Sequence, residues 1–215
     1  MNGGSTRAEV IATGESSTNA AMAAAVLPRF AELIELAAKV TGDNHYLPLV
    51  DGVRQFAAGQ AAALKKHAWN GAWLNRAWIP LPKNGSSGAA QFPGGWACTN
   101  GVDKRLCLEP QPWAILASTH NGSGGGSGGS SVLDAAQTAT LVESLISQLG
   151  SPLGSTVLNK PFARTAAAAT KLGVSTGDAA DAGQHENGGV WPSQNHVSLS
   201  YKYQQAVGCN CRSSD

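Results

Sequence analysis

Two long helix-patterned runs joined by a tight turn constrain this chain more than any other feature. The first covers about Asn19 to Val40, where Leu27, Phe30, Leu33, Ile34, Ala37 and Ala38 recur at i, i+3, i+4 spacing. That spacing predicts one buried stripe on a helix. Thr18 or Asn19 is the expected N-cap. Pro28 lies inside the run and is expected to kink the helix or divide it in two. Thr41-Gly42-Asp43-Asn44 ends it. A second helix is predicted from about Tyr46 to His67, with Val50, Val53, Phe56, Ala57 and Leu64 as its stripe. Lys65 and Lys66 suit its C-terminal end, where the helix dipole favours cations. Two helices with so short a turn between them form an antiparallel hairpin. The same pattern predicts a helix over Ser131–Leu149, with Ala135, Ala139, Val142, Ile146 and Leu149 on one face and Gly150 closing it. Further helices are predicted from Pro112 to about Thr119 and from His196 to Val207. The fold class is therefore all-α.

The remaining stretches are turns and loops. Asn70-Gly71 between aromatic residues predicts a small β-hairpin or extended loop over Trp69–Ile79. Trp69, Trp73 and Trp78 there either stack on a ligand or pack in the core. Pro80–Arg105 and the Gly/Ser-rich Asn121–Ser131 read as long loops. Thr156–Phe162 reads as a short extended piece, and the Ala run at 166–169 as a short helix. Residues 1–13 form a polar arm, 14–207 one folded unit and 208–215 a polar tail. A length of 215 residues fits one domain. The 42% of hydrophobic residues suffice for a core, thin because so many are Ala. A net charge of +1 with no basic run gives no footprint for nucleic acid or an anionic membrane. No signal-peptide pattern or spanning run is seen, so the expected location is cytoplasmic. Cys209-Asn210-Cys211 lacks a matching second pair for zinc, and its thiols are expected to be free. Asn121-Gly122-Ser123 fits a glycosylation sequon that nothing else supports.

Three stretches carry the chemistry. Gln184-His185-Glu186-Asn187-Gly188-Gly189-Val190-Trp191 sets a carboxylate, an amide and two glycines beside an indole. Glycines let backbone approach a ligand closely, and Glu with Asn grips vicinal hydroxyls. A solvated Gly-Gly turn is the plainer alternative. Leu108-Glu109-Pro110-Gln111-Pro112-Trp113-Ala114-Ile115-Leu116 places Glu109 and Gln111 at a helix start, beside free N–H groups. That position suits a sugar or an anion, or plain capping. Arg76, in His67-Ala68-Trp69-Asn70-Gly71-Ala72-Trp73-Leu74-Asn75-Arg76-Ala77-Trp78, is a candidate for phosphate or for an ion pair with a carboxylate.

Taken together and in their order along the chain, these stretches resemble the cellobiose and chitobiose phosphorylase family of inverting glycoside phosphorylases. That family carries segments like H-A-W-D-G-x-W-Y-x-R-A-W, L-E-x-Q-x-W-A-V-L and E-N-G-G-[VI]-[YF]. Gly14-Glu15-Ser16 matches the start of its G-E-S-V-W, while Ser17-Thr18 depart from it. The resemblance implies an (α/α)6 barrel, a six-hairpin toroid. Twelve helices with loops need roughly 300 residues, so this chain would supply only part of one. The implied reaction is phosphorolysis of a β-linked glucose or N-acetylglucosamine disaccharide or oligosaccharide to a sugar 1-phosphate. It needs no cofactor or metal, only inorganic phosphate as co-substrate. The resemblance assigns Glu186, Asn187, Gly188 and Gly189 to the sugar site, with Glu109, Gln111 and Glu15 lining the cleft. The family's Thr-His phosphate pair falls at Pro192 and Ser193, which leaves His196 and Arg76 as phosphate candidates and His185 as a weaker one. The family's general acid is an Asp in D-W-N-D-G-[MA]-N. Met1-Asn2-Gly3 resembles the tail of that motif, so the acid is not among these residues and the isolated chain is expected to be inactive. The alternative is a non-enzymatic helical remnant with a carbohydrate-binding surface. Either way, an incomplete barrel is expected to expose apolar faces and self-associate.

Overall fold

In a computed structural model, the structure describes residues 13–79, 95–98, 100, 104–122, 131–161, 182–183, 187–193 and 195. The described part is mostly helical. It holds four α-helices: α1 (Ser17–Thr41), α2 (Val50–Ala63), α3 (Pro110–Gly122) and α4 (Ala135–Leu149). Strands β1 (Glu15–Ser16), β2 (Ala77–Ile79) and β3 (Gly95–Ala97) form an antiparallel sheet in that order. β4 (Gly150–Ser151) and β5 (Gly154–Ser155) form a hairpin. No described helix is long and apolar enough to cross a membrane. The expected Ala166–Ala169 and His196–Val207 helices, and both termini, lie outside the described residues.

The cap of α1 lies further upstream than predicted. The Ser16 hydroxyl accepts from the Asn19 backbone N–H at 3.3 Å, two residues before Thr18. Gly42 closes the helix at φ +76°, where its N–H reaches the Ala38 carbonyl. Such a left-handed C-cap requires glycine's freedom. Pro28 does not divide the helix, which runs through it as one element.

The buried face of α1 is not the predicted one. Ser17, Ala21, Ala24, Ala31 and Ala38 face inward. Phe30 and Leu33, expected in the core, are 49% and 58% exposed. The cause is close packing: α1 lies along both α2 and α3, and small side chains let backbones approach. A bidentate pair from Arg54 to Glu35, at 2.8 and 2.7 Å, ties α1 to α2.

A 3₁₀ turn at Leu47–Leu49 leads into α2, and a π turn at Leu64–Ala68 leads out of it. Val50, Ala57 and Leu64 of the predicted stripe face inward together with Ala61, whereas Phe56, also predicted there, is 56% exposed. The predicted tight turn at Asn70-Gly71 forms. Trp69 and Leu74 bridge across it, and the Asn70 carboxamide oxygen accepts from the Ala72 and Trp73 N–H groups.

Helix α3 starts at Pro110, two residues earlier than expected. Helix α4 starts from a capping box between Asp134 and Gln137. Leu141, Ser144 and Leu149 are its buried residues, while Ile146 is 54% exposed, so the inward face is turned from the predicted one. Ser144 explains the turn: its hydroxyl reaches the Ala72 carbonyl at 3.2 Å and so sits inside despite being polar.

Trp73, Leu74, Leu106, Leu108, Ile115, Leu133, Leu141 and Leu149 make the main core with the α1 alanines. A smaller cluster of Val157, Leu158 and the disulfide-bonded Cys98–Cys107 carries Trp191 against it.

Candidate functional site

A cavity of about 590 Å³ opens where β1, the first turns of α1 and the last turns of α2 meet. Each wall has a local cause. Glu15 is held in β1 by pairing with Trp78 of β2, and the register continues as Ser17 N–H donates to the Arg76 carbonyl at 3.0 Å. Asn19 projects from the first turn of α1. Phe56 and Gln60 lie one turn apart on α2, as i, i+4 neighbours must. The π turn then widens the helix by one residue, with Trp69 N–H donating to the Leu64 carbonyl at 3.1 Å, and Leu64, His67 and Ala68 enter the wall. Such single π turns inside helices recur at functional sites.

The chemistry of the lining is mixed in a specific way. It offers one carboxylate, two carboxamides, an imidazole and an exposed phenyl ring, over a floor of Ala20, Ala23 and Ala63. Ser17 is 3% exposed, and its hydroxyl oxygen is buried without a hydrogen-bond partner. An unsatisfied buried hydroxyl costs stability. Ser17 lines the cavity, but its hydroxyl oxygen itself is closed off from it. The first turn of α1 adds the positive end of a 25-residue helix, with the Ser17 and Asn19 N–H groups already taken by the Arg76 carbonyl and the Ser16 hydroxyl. The cavity suits a neutral or weakly anionic molecule with several hydroxyls and one apolar face.

Of the sequence-predicted site residues that the structure describes, Glu15 alone lines this cavity. Arg76 and Glu109 meet each other instead. The guanidinium donates to both carboxylate oxygens, Nη2 to Oε1 at 3.1 Å and Nε to Oε2 more closely. This pair binds the strand region of Trp69–Ile79 to the start of α3. Gln111 is wholly buried. Its Oε1 accepts from Leu74 N–H at 3.0 Å, and its Nε2 donates to the Leu74 and Cys107 carbonyls at 2.8 and 3.0 Å. Its amide is thus committed to the backbone. Trp73 is likewise a core residue, with its indole N–H on the Cys98 carbonyl at 3.0 Å.

Asn187, Gly188 and Gly189 pack against Val157–Pro161. The Asn187 carbonyl accepts from Gly183 N–H, and the Gly189 carbonyl from Val157 N–H, both at 2.9 Å. Gly188 has φ +100°, and a Cβ there would come within 2.7 Å of Pro161 Cγ. The second and third motifs are therefore neighbours, joined through Val157: Leu108 N–H donates to its carbonyl at 3.0 Å. Glu186, His185 and His196 lie outside the described residues.

Sequence reasoning missed Ser17, Asn19, Phe56 and Gln60 as site residues, and noted His67 only as the start of a motif. His67 was the detectable one, since it opens the stretch that ends on Trp78, the partner of Glu15. Compared with models of known protein families and with curated proteins, the chain matches none.

Proposed function

We propose that the chain is a carbohydrate-binding portion of a glycoside phosphorylase-type catalytic domain, part of an (α/α)6 barrel. The cavity between α1 and α2 is its sugar site. The observation that carries this reading is the lining itself. Glu15, Asn19, Gln60 and His67 line the cavity together with the Phe56 ring and the small side chains of Ala20, Ala23 and Ala63. Sugars present this pairing of hydroxyl edge and apolar face. The ligand class is a β-linked glucose or N-acetylglucosamine disaccharide, with phosphate as co-substrate of the complete reaction. Glu15 is the one carboxylate among the described residues of the lining. Hydrolysis at an inverting centre needs two carboxyl groups, whereas phosphorolysis needs only an acid because phosphate attacks. The D-W-N-D-G run that carries the family's acid is not among the 215 residues, so the isolated chain binds sugar without cleaving it.

A second reading, a helical protein with no catalytic past, is favoured by one observation. Gln111 and the Arg76–Glu109 pair have purely structural partners.

Titration calorimetry with cellobiose and chitobiose tests the site. Saturable binding is expected, weakened about 10- to 100-fold by Glu15→Gln, since a hydrogen bond to a charged group is worth about 1.5–3 kcal/mol. No binding of either sugar, or binding indifferent to Glu15 and His67, overturns the proposal. The cytoplasmic placement stands as part of this reading, and the Cys98–Cys107 bridge speaks against it, because cytosolic thiols are kept reduced. Thiol counting on protein trapped in cells decides that point.

A further inference from the structure

Helix α1 is apolar on two opposite faces. Its alanine face is used inside the molecule. On the other side Met22, Val26, Phe30, Leu33, Leu36 and Val40 stand 38% to 75% exposed. They recur at spacings of three and four over the length of the helix, a stripe about 27 Å long at 1.5 Å per residue. Isolated exposed apolar residues are ordinary, but a continuous stripe of this length marks an interface.

We propose that this stripe docks against the same stripe of a second copy, α1 on α1, antiparallel about a two-fold axis between Leu33 and Leu36. Two features select that occupant. The apolar pattern is self-complementary when reversed. With Leu33 opposite the partner copy's Leu36, the symmetric pair forms automatically, and Val40 falls level with the Arg29–Phe30 turn. Met22 and Val26 then reach past the end of the partner helix, towards the turn that carries the exposed Tyr46 and Leu47. The flanking charges are also complementary. Glu32 and Lys39 lie seven residues apart on the same edge of the stripe, and both are exposed. Antiparallel pairing sets each Glu32 within about two residues of the other copy's Lys39, twice by symmetry. Parallel pairing in register would carry this edge of the two copies to opposite sides of the seam, so neither Glu32–Lys39 contact would form. The charges thus fix orientation and register, while the apolar stripe supplies the affinity. Glu32 already contacts Arg29 at 3.7 Å on its own helix, and that pair is compatible with the added contact. This inference does not depend on the sugar reading.

Sedimentation of the full chain across a concentration series tests it. A reversible dimer is expected. Leu33→Glu puts two carboxylates near the axis and should weaken it at least about 100-fold, with helix content unchanged by circular dichroism. Glu32→Lys should weaken it by about 3- to 30-fold, and Glu32→Lys with Lys39→Glu should restore it. Recovery in the double swap excludes a folding defect as the cause. A monomer at all concentrations overturns the proposal, including one whose stripe is covered by another segment of its own chain. A dimer indifferent to Leu33→Glu and to the charge swap also overturns it. So does a monomer that binds phospholipid vesicles through Leu33, which would assign the stripe to a membrane surface.

Discussion

At the scale of single residues, the interior separates side chains that hold the fold from those available to a ligand. Gln111 belongs to the first kind. Replacing it with Leu leaves Leu74 N–H, the Leu74 carbonyl and the Cys107 carbonyl without their partners in a dry core. A loss of about 2–4 kcal/mol is expected in urea unfolding. Ser17 belongs to neither kind. Its buried hydroxyl has no partner to lose, so Ser17→Ala should leave the unfolding midpoint unchanged or slightly raised and sugar binding unchanged. Parallel denaturation and calorimetry on this one variant check both. Gly188 is a third case. Its φ and the 2.7 Å approach to Pro161 Cγ leave no room for a methyl group. Its glycine identity was legible in sequence as a backbone requirement, but the sequence suggested a ligand as the close neighbour, and the structure supplies a proline.

At the scale of elements, capping and ion pairing set the helix ends and their docking. Asp134 and Gln137 make a reciprocal box at the start of α4, and Asp134→Ala should cost about 1 kcal/mol in thermal or urea unfolding. The pair between Glu35 and Arg54 joins α1 to α2. The hydrogen bonds from Arg54 hold the Glu35 carboxyl below the ordinary glutamate range. A lowered folded-state value means that its stabilising contribution is complete above the unfolded value, about pH 4.3. It is lost as pH falls through the lowered folded value. Glu35→Gln should flatten the stability profile in that acid window and nowhere else, as read by urea midpoints from pH 6 downwards. The hairpin, its turn at Gly42 and the positions of α1, α2 and α4 were legible, because periodicity and caps are local signals. The inward faces of α1 and α4 were not. Periodicity ranks faces by hydrophobicity, whereas close helix packing selected alanines in α1, and a hydrogen bond drew Ser144 inward in α4.

At the scale of the whole molecule, the long-range links decide what reaches the cavity. The 15–16 strand meets the 77–79 strand across the entire α1–α2 hairpin, so Glu15 and His67 share a wall although 52 positions separate them. The Cys98–Cys107 bridge closes a loop between residues nine apart and covers the Trp73 indole through the Cys98 carbonyl. A loop of this length corresponds to about 2–3 kcal/mol. Reduction should lower the unfolding free energy extrapolated from urea melts by that amount, and Cys98→Ser with Cys107→Ser should show the same loss without reductant.

The sequence alone determined the helical class, the α1–α2 hairpin and the tight turn at Asn70-Gly71. These depend on neighbours within a turn or two, where backbone geometry leaves few choices. Only the tertiary structure decided that Arg76 pairs with Glu109, that Gln111 closes on the backbone of Leu74 and that the large apolar side of α1 faces outward. Each of these depends on which surfaces pack at close range, and residue spacing along one chain does not encode that distance.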